Sequence, residues 1–267
     1  MASINPVLGV FSLYHELPAA FTDRFTTVEQ KWFDRYRPIA KDTIFHSGMS
    51  LVDDTFLPVL EQQNAFEIIR KNHIRRFSFD VGPCFRRVKT VDNRYVGIGG
   101  KLSVKEIHAI CSERIAWLRS KLPFYCEIAV ENLNYYPTGA YENVCEPEFY
   151  NDICARYELG LVLDMGHAQV TAYNQKEDFA EHLLRFDPDT VREFHLSRIS
   201  IINDDEAIDF HDVPGQEEFQ IMCNLIQDHR RKYDVVIEYW QSTGPLMGAY
   251  AALETFLDEK SKNHTAS

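Results

Sequence analysis

The chain has 267 residues, of which 45% are hydrophobic, and its formal net charge is −12. This length suits one α/β barrel of about 250 residues, and no linker rich in Gly, Ser or Pro separates two smaller units. The acidic balance argues against nucleic acid as a partner, because a negative surface repels phosphate backbones. We expect a single domain over residues 1–267, with a frayed tail at 260–267.

Targeting and redox features point to one compartment. The N-terminus lacks the basic segment and apolar run of a signal peptide. No apolar stretch approaches the roughly 20 residues that span a bilayer. None of the six cysteines has the spacing of a zinc knuckle or a redox motif. The sequence therefore predicts a cytoplasmic protein with reduced thiols and no membrane partner.

Short apolar runs alternate with helical patterns along the chain. Seven runs have the character of buried strands: 7–13, 42–46, 75–80, 124–130, 159–163, 191–195 and 234–238. This alternation predicts a parallel sheet and favours a TIM-type (β/α)8 barrel. No pattern identifies an eighth strand, so the barrel is expected to be distorted or incomplete. An open doubly wound sheet is the second choice.

The segments between these strands are predicted mostly as helices. Helical patterns cover 28–35, 56–72, 104–122, 146–157, 176–184, 217–233 and 248–257. Ser103 is a candidate N-cap. Residues 47 and 48 are expected to turn the chain, residues 85–101 to form a long loop or small hairpin, and residues 199–209 to form a loop. A Tyr-rich loop at 134–144 either lines a substrate cleft or forms an aromatic cluster.

Polar residues of metal-binding types stand at the ends of six predicted strands. They are His46, Asp80, Glu131, Asp164, His195 and Glu238. In a parallel barrel these ends meet on the face that carries the active site. One carboxylate at a strand end often caps the next helix, but six such residues on six strands are poorly explained by chance. His15, just past the first strand, is a candidate for the mouth of the site.

Further ligand types surround this series. His167 lies three residues after Asp164, and Asp209 and His211 share one face of an extended segment. Carboxylates packed together destabilise one another unless cations compensate them. Imidazole and carboxylate without thiolate suit iron, manganese or zinc. Eight or nine ligand-type residues exceed the needs of one ion, so we expect two or three.

The ligand series resembles that of a known superfamily. In order and spacing, Glu131, Asp164, His167, His195, Asp209, His211 and Glu238 are similar to the metal ligands of xylose isomerase-like sugar isomerases and endonuclease IV-type nucleases. The resemblance spans residues 40–240. It implies a TIM-type barrel with a multinuclear metal site.

A narrower resemblance rests on longer motifs. Residues 44–48, 130–132, 146–149, 161–164 with 170–174, 191–196 and 208–211 resemble the multinuclear non-heme iron-dependent oxidases, once a domain of unknown function. Members bind two or three irons and oxidise cysteines or other residues of ribosomally made peptides, usually with a partner protein that presents the peptide. The resemblance implies the same metals, a peptide substrate and such a partner for this chain.

The resemblance also assigns individual residues. It makes His46, Glu131, Asp164, His195, Asp209, His211 and Glu238 iron ligands. His167 stands where many members have paired asparagines and some have a histidine ligand. The third strand departs from the family, because Ser78-Phe79-Asp80 replaces the usual Glu-His-Leu. Either Asp80 takes the place of that histidine or the third metal is missing.

Three other functions remain open at this stage. A sugar isomerase or epimerase would use one divalent ion between Glu131 and Glu238, with Arg198 holding a hydroxyl or phosphate. An endonuclease IV-like phosphodiesterase fits the ligand set but not the acidic balance. A barrel kept as a binding scaffold would bind no metal. Asn132 and Arg198 are the candidate substrate-binding residues.

Overall fold

A computed structural model describes residues 3–10, 12–203, 206–226 and 231–265. Their strands are β1 (Ser3–Val10), β2 (Thr27–Lys31), β3 (Asp42–Ser50), β4 (Arg76–Asp80), β5 (Val88–Val91), β6 (Arg94–Gly97), β7 (Glu127–Glu131), β8 (Gly160–Asp164), β9 (Val191–Leu196), β10 (Arg198–Asn203), β11 (Glu206–Asp212) and β12 (Lys232–Ile237). Eight of them form a closed parallel barrel in the order β1-β12-β9-β8-β7-β4-β3-β2. The fold is therefore a TIM-type (β/α)8 barrel, and it is complete.

Helices connect these strands and cover the barrel. They are α1 (Ala19–Thr22), α2 (Phe56–Gln62), α3 (Ala65–Lys71), α4 (Val104–Lys121), α5 (Pro147–Tyr157), α6 (Met165–Gln175), α7 (Phe179–Leu184), α8 (Gln216–Leu225) and α9 (Thr243–Thr265). Ser103 caps α4 as predicted, because its hydroxyl accepts from the Glu106 amide while Glu106 bonds back to Ser103. Within the described residues, no helix combines the length and apolar character needed to cross a bilayer.

The eighth strand lies where a helix was predicted. Residues 27–31 form β2, which pairs with β1 and β3, and only a single turn of 3-10 helix follows at Phe33–Arg35. Among its residues, Val28 packs in the hydrophobic core, whereas Glu29 and Lys31 face other charged groups inside the barrel. A strand with a polar inner face has no apolar run, so the sequence pattern concealed it.

Several predicted boundaries were also wrong. Strand β3 continues through residues 47 and 48 instead of turning there, with a register shift against β4. Asn64, in a left-handed conformation, divides the predicted helix at 56–72 into α2 and α3. The loop predicted at 199–209 is an antiparallel hairpin of β10 and β11.

Three helices also differ from the prediction. The chain enters α6 directly after Asp164, whereas the sequence pattern indicated a helix only from residue 176. Helix α8 ends at Leu225, and the last residues of the predicted helix at 217–233 belong to β12. Helix α9 extends to Thr265, into the tail expected to be frayed.

Polar side chains fill much of the barrel interior. The buried Arg76 guanidinium donates to Glu127, Glu193 and Asp234 at 2.9–3.1 Å, so it links β4 to β7, β9 and β12. Apolar branched residues usually dominate such an interior. Among the described residues, Val7, Ile44 and Val236 form a small apolar cluster separate from the main core. The interior is thus built to hold charge from its base to the carboxyl ends of the strands.

Candidate metal centre

A cavity of about 550 Å³ opens at the carboxyl ends of the barrel strands. Its inner lining carries six of the predicted ligands: His46, Asp80, Glu131, His167, His211 and Glu238. Asp164 and His195 are fully buried in contact with this set, and Asp209 lies 3.2 Å from His211. All nine predicted metal ligands therefore lie in one cluster at the expected face.

Glu131 lies between two histidines. Its Oε2 is 3.1 Å from His46 Nε2, and its Oε1 is 2.6 Å from His195 Nδ1. Burial alone would raise the pKa of Glu131, but His46 and His195 lower it well below its usual value. This carboxylate presents one oxygen to each of two neighbouring ligand groups, as a metal-bridging carboxylate does.

Glu238 repeats this arrangement on the other side of His195. Its Oε1 lies 3.2 Å from His195 Nδ1, and its Oε2 lies 3.1 Å from His211 Nε2. Lys31 also contacts Oε1. Burial alone would raise the pKa of Glu238, but Lys31 and His195 lower it well below its usual value. The two glutamates thus connect a central group at His195 to an outer group on each side.

The outer group at the cavity surface consists of His167, Asp209 and His211. Both imidazole Nε2 atoms lie 3.2 Å from the same Asp209 Oδ2. His211 adopts a left-handed conformation, with φ of 52°. The indole of Trp240 packs on its ring at 4.1 Å between centroids. These contacts leave a two-histidine, one-carboxylate set facing the cavity.

The opposite outer group consists of His46, Asp80 and Glu131. Asp80 is 7% exposed, and its Oδ1 makes no hydrogen bond among the described residues. Burial and the charge of Glu131 raise the pKa of Asp80 to about 7. The structure therefore places Asp80 beside His46 as a candidate ligand.

Neighbouring groups fix the orientation of the histidines. His167 Nδ1 lies 2.7 Å from the backbone oxygen of Asn132, and His46 Nδ1 lies 3.1 Å from Ser78 Oγ. Such bonds to the far ring nitrogen fix the tautomer and leave Nε2 for a metal. Below His195, Glu193 and Glu29 lie 3.4 and 3.5 Å from Nε2 without a hydrogen bond to it, and Nδ1 faces Glu131 and Glu238.

The donor set fits metal ions by its chemistry and by its unsatisfied atoms. Buried carboxylate atoms with no hydrogen bond among the described residues include Asp80 Oδ1, Asp164 Oδ2 and Asp209 Oδ1. Burial raises the pKa of Asp164 to about 6, against the opposing charge of His167. Buried carboxylates without partners are costly unless a cation compensates them. Within the described residues, the candidate ligand groups are His167–Asp209–His211, Glu29–His195–Glu238, His46–Asp80–Glu131 and Glu131–Asp164–His195.

Sequence reasoning missed two charged residues of the site, Glu29 and Lys31. Both lie on β2, and Glu29 joins one candidate ligand group. Burial alone would lower the pKa of Lys31, but Glu238, Glu29 and Glu131 raise it. The sequence feature that could have revealed them is the polar residue at every second position, Thr27, Glu29 and Lys31. This pattern can be recognised as the inner face of a strand only when the partners of these residues in the barrel are known.

The structure places both predicted substrate-binding residues outside the cavity lining. Arg198 forms a two-point ion pair with Glu218 at 3.0 and 3.1 Å. The buried Asn132 amide instead pairs with the backbone of Asp164, accepting from its nitrogen at 2.8 Å and donating to its oxygen at 2.9 Å. Asn132 thus positions a ligand.

The Tyr-rich loop at 134–144 supports the site from outside the cavity lining. The Tyr136 hydroxyl accepts from the backbone nitrogen of Asp209 at 3.1 Å, and the Tyr141 hydroxyl accepts from that of Tyr95 at 2.7 Å. Of the two expectations for this loop, an aromatic cluster fits better than the lining of a substrate cleft. His15, in contrast, lines the mouth of the cavity as expected.

Residues 103–255, more than half of the chain, match a family described as the RiPP precursor modification enzymes MbnB/TglH/ChrH. The chain belongs to this family. RiPPs are ribosomally synthesised and post-translationally modified peptides, so membership indicates an enzyme and suggests a peptide substrate. The matched segment contains Glu131 but not His46 or Asp80, which lie before it, and it also contains Glu238.

Solved structures support the fold. The chain is similar to an AP endonuclease, family 2, from Brucella melitensis, with 12% identity, a TM-score of 0.60 and coverage of 97% of this chain and 99% of that one. A xylose isomerase domain protein from Alicyclobacillus acidocaldarius shows 13% identity, a TM-score of 0.61 and coverage of 96% and 99%. The 3-keto-D-glucoside 4-epimerase YcjR from E. coli shows 12% identity and a TM-score of 0.57, with coverage of 96% of this chain and 100% of that one. No curated protein sequence matches the chain.

Proposed function

We propose that the protein is a multinuclear non-heme iron-dependent oxidase that modifies a cysteine, or another residue, of a peptide with O2 as the oxidant. The observation that carries this proposal is the His167–Asp209–His211 group in a member of a peptide-modifying family. Two histidines and one carboxylate with open positions are the ligand set typical of non-heme iron oxygenases. This group faces the cavity, where a substrate has access.

The two bridging glutamates support more than one ion. A central ion would be held by His195 and Asp164 and share Glu131 and Glu238 with its neighbours. A second would be held by His167, Asp209 and His211. A third would be held by His46 and Asp80. Bound iron supplies redox chemistry with O2 and a position for a substrate thiolate.

The chain itself supplies geometry and access. Ser78 orients His46, and the Asn132 backbone orients His167. Manganese and zinc are the alternative metals for this donor set. A partner protein that presents the peptide is part of the proposal and rests on the family resemblance.

The proposal is tested on protein purified without oxygen. We expect two or three irons per chain, and oxygen uptake that depends on a cysteine-containing peptide and falls away when serine replaces the cysteine. Metal analysis and an oxygen electrode measure these quantities. Zinc or manganese alone, with no oxygen uptake, would overturn the iron-oxidase proposal.

Two substitutions test the arrangement of ions. His211→Ala removes a ligand of the His167–Asp209–His211 group only, so we expect it to lower the metal content by about one ion per chain. Glu131→Gln weakens the bridge between two groups and should affect two ions. His108→Ala on α4 is the matched control, because His108 pairs with Asp152 outside the cavity lining. Equal losses in H211A and E131Q would contradict the bridging role.

The same preparations separate the other functions. A sugar isomerase or epimerase would need one ion at the central group and would turn over a ketose with manganese even after His211→Ala. An endonuclease IV-like enzyme would cleave DNA at an abasic site. A binding scaffold would contain no metal even when purified without oxygen.

A further inference from the structure

The outer half of the cavity differs in charge from its inner half. The inner half is rich in carboxylates, whereas the rim consists of His15, Trp32, Arg35, Arg37 and Trp240. These five residues are called the rim below. Two arginines concentrated at the opening of one cavity contrast with the net charge of −12 over the whole chain. The rim therefore offers a local positive surface directly above the metal-ligand cluster.

The core of the protein holds the segment that carries most of the rim. The side chain of the buried Gln30 donates to the backbone oxygen of Arg37 at 2.8 Å and accepts from its nitrogen at 3.0 Å. Phe33 is buried and stacks on Phe45 with ring centroids 3.8 Å apart. Both ends of residues 32–37 are thus anchored, and the rim is ordered before any ligand arrives.

Trp32 is held in a conformation that a side chain of its size rarely adopts. Its φ is 67°, in the left-handed region, and its side chain is half exposed. The indole lies above Gly48, about 3.5 Å from the position that a Cβ there would take. Such strain in a non-glycine residue persists where the surrounding structure enforces it, which is common at ligand-binding sites.

The two arginines are presented to solvent at the opening. The Arg37 guanidinium contacts the His15 ring, which carries no negative charge and so does not compensate the charge of the guanidinium. Arg35 is largely exposed, and its Nε lies only within 3.9 Å of the exposed Asp34. A guanidinium matches a carboxylate with two parallel hydrogen bonds. Flanking indoles suit the apolar part of the same ligand.

We propose that the rim binds a carboxylate of the peptide, next to the residue that enters the metal cavity. Arg37 is the main contact, Arg35 is a second contact, and Trp32 and Trp240 enclose the adjoining backbone. This proposal rests on the proposed function in taking a peptide as substrate. The carboxylate is either the C-terminal one or the side chain of an Asp or Glu beside the reacting residue.

Binding of short labelled peptides to the metal-loaded full chain, without oxygen, tests the proposal. The probes are fluorescein-Ala-Ala-Ala-Cys with a free C-terminus, the same peptide as its amide, and fluorescein-Ala-Ala-Asp-Cys amide. Fluorescence anisotropy should show at least about tenfold tighter binding of a carboxylate-bearing probe than of the first amide. The free acid and the Asp amide distinguish the two sources of the carboxylate. The preference should weaken as salt is raised, because the rim is exposed.

Substitutions link the preference to the rim. Arg37→Gln should remove most of the preference for carboxylate-bearing probes, and Arg35→Gln should remove part of it. The metal content should be unchanged in both variants. Arg156→Gln on α5 is the matched control and should keep it, because Arg156 pairs with Asp152 outside the rim. Equal binding of all three probes, absence of carboxylate-dependent binding up to millimolar protein, or a preference that survives Arg37→Gln would each overturn the proposal. Metal content and oxygen uptake are measured separately, so failure of the rim does not imply failure of the oxidase function.

Discussion

At the scale of single residues, the divided roles of Glu131 and Glu238 organise the site. Each glutamate directs one oxygen to His195 and the other to a histidine of an outer group. A single-ion enzyme would need only the central group. The chain has further buried carboxylates and imidazoles on both sides of the central group. Burying these groups without cations would lower the stability of the fold.

Asn132 illustrates how a polar residue at a strand end can act through another residue. Its amide accepts from and donates to the backbone of Asp164, and its own backbone oxygen lies 2.7 Å from His167 Nδ1. It therefore holds two candidate ligands, Asp164 and His167, in position.

We predict that Asn132→Ala destabilises the metal-free protein by about 2–4 kcal/mol. The substitution leaves a buried donor and a buried acceptor of Asp164 without partners. Urea denaturation measures the change, and Asn224→Ala, at an exposed position on α8, is the control and should change little. If Asn132→Ala weakened only peptide binding and left the unfolding midpoint unchanged, the residue would be a substrate ligand as the sequence suggested.

At the scale of elements, the close contact between α6 and β9 places His167. Asp164 ends β8 and caps α6, since its Oδ1 accepts from the His167 amide at 2.7 Å. Between them, Gly166 leaves room for Ser197, which follows β9. A Cβ on Gly166 would clash with Ser197 Oγ and lie 3.2 Å from Asp164 Oδ1.

We predict that Gly166→Ala destabilises the protein by about 1–3 kcal/mol, because the start of α6 must shift. The shift moves His167, so metal binding by the His167–Asp209–His211 group should also fall. Ser197→Ala removes the clashing oxygen, which is buried and has no hydrogen-bond partner among the described residues. Alone it should be nearly neutral, and combined with Gly166→Ala it should restore most of the loss. Urea denaturation and metal analysis measure both effects. Additive losses in the double variant would contradict this packing argument.

At the scale of the whole molecule, charge holds the barrel together from within. Arg76 on β4 reaches across the interior to Glu193 on β9 and Asp234 on β12. Glu193 in turn lies 3.4 Å from His195 Nε2. The network at the base of the barrel is thus continuous with the metal-ligand cluster at its carboxyl end.

We predict that Arg76→Met destabilises the protein by about 3–5 kcal/mol, because it leaves the buried Glu193 carboxylate without its cation and removes one of the two guanidinium partners of Asp234. Arg156→Met, at an exposed ion pair on α5, should cost less than about 1 kcal/mol. Urea denaturation of both variants tests this difference. Similar midpoints for the two would show that the interior network contributes little to stability.

The sequence by itself determined the seven strands with apolar runs and the nine ligand-type residues that follow them. It could do so because parallel strands bring their carboxyl ends to one face, so that position in the chain predicts position in the site. The structure confirms the barrel and brings all nine residues together.

Only the tertiary structure decided the eighth strand and what it carries. Strand β2 has one apolar residue in the core and a polar inner face, because Glu29 and Lys31 take their partners from β9 and from Glu238, directly after β12. Those partners are 166 and 207 residues away along the chain, so no local pattern could reveal them. The same holds for the bridging contacts of Glu131 and Glu238, the pairing of Asn132 with Asp164, and the basic rim above them, all of which depend on closure of the barrel.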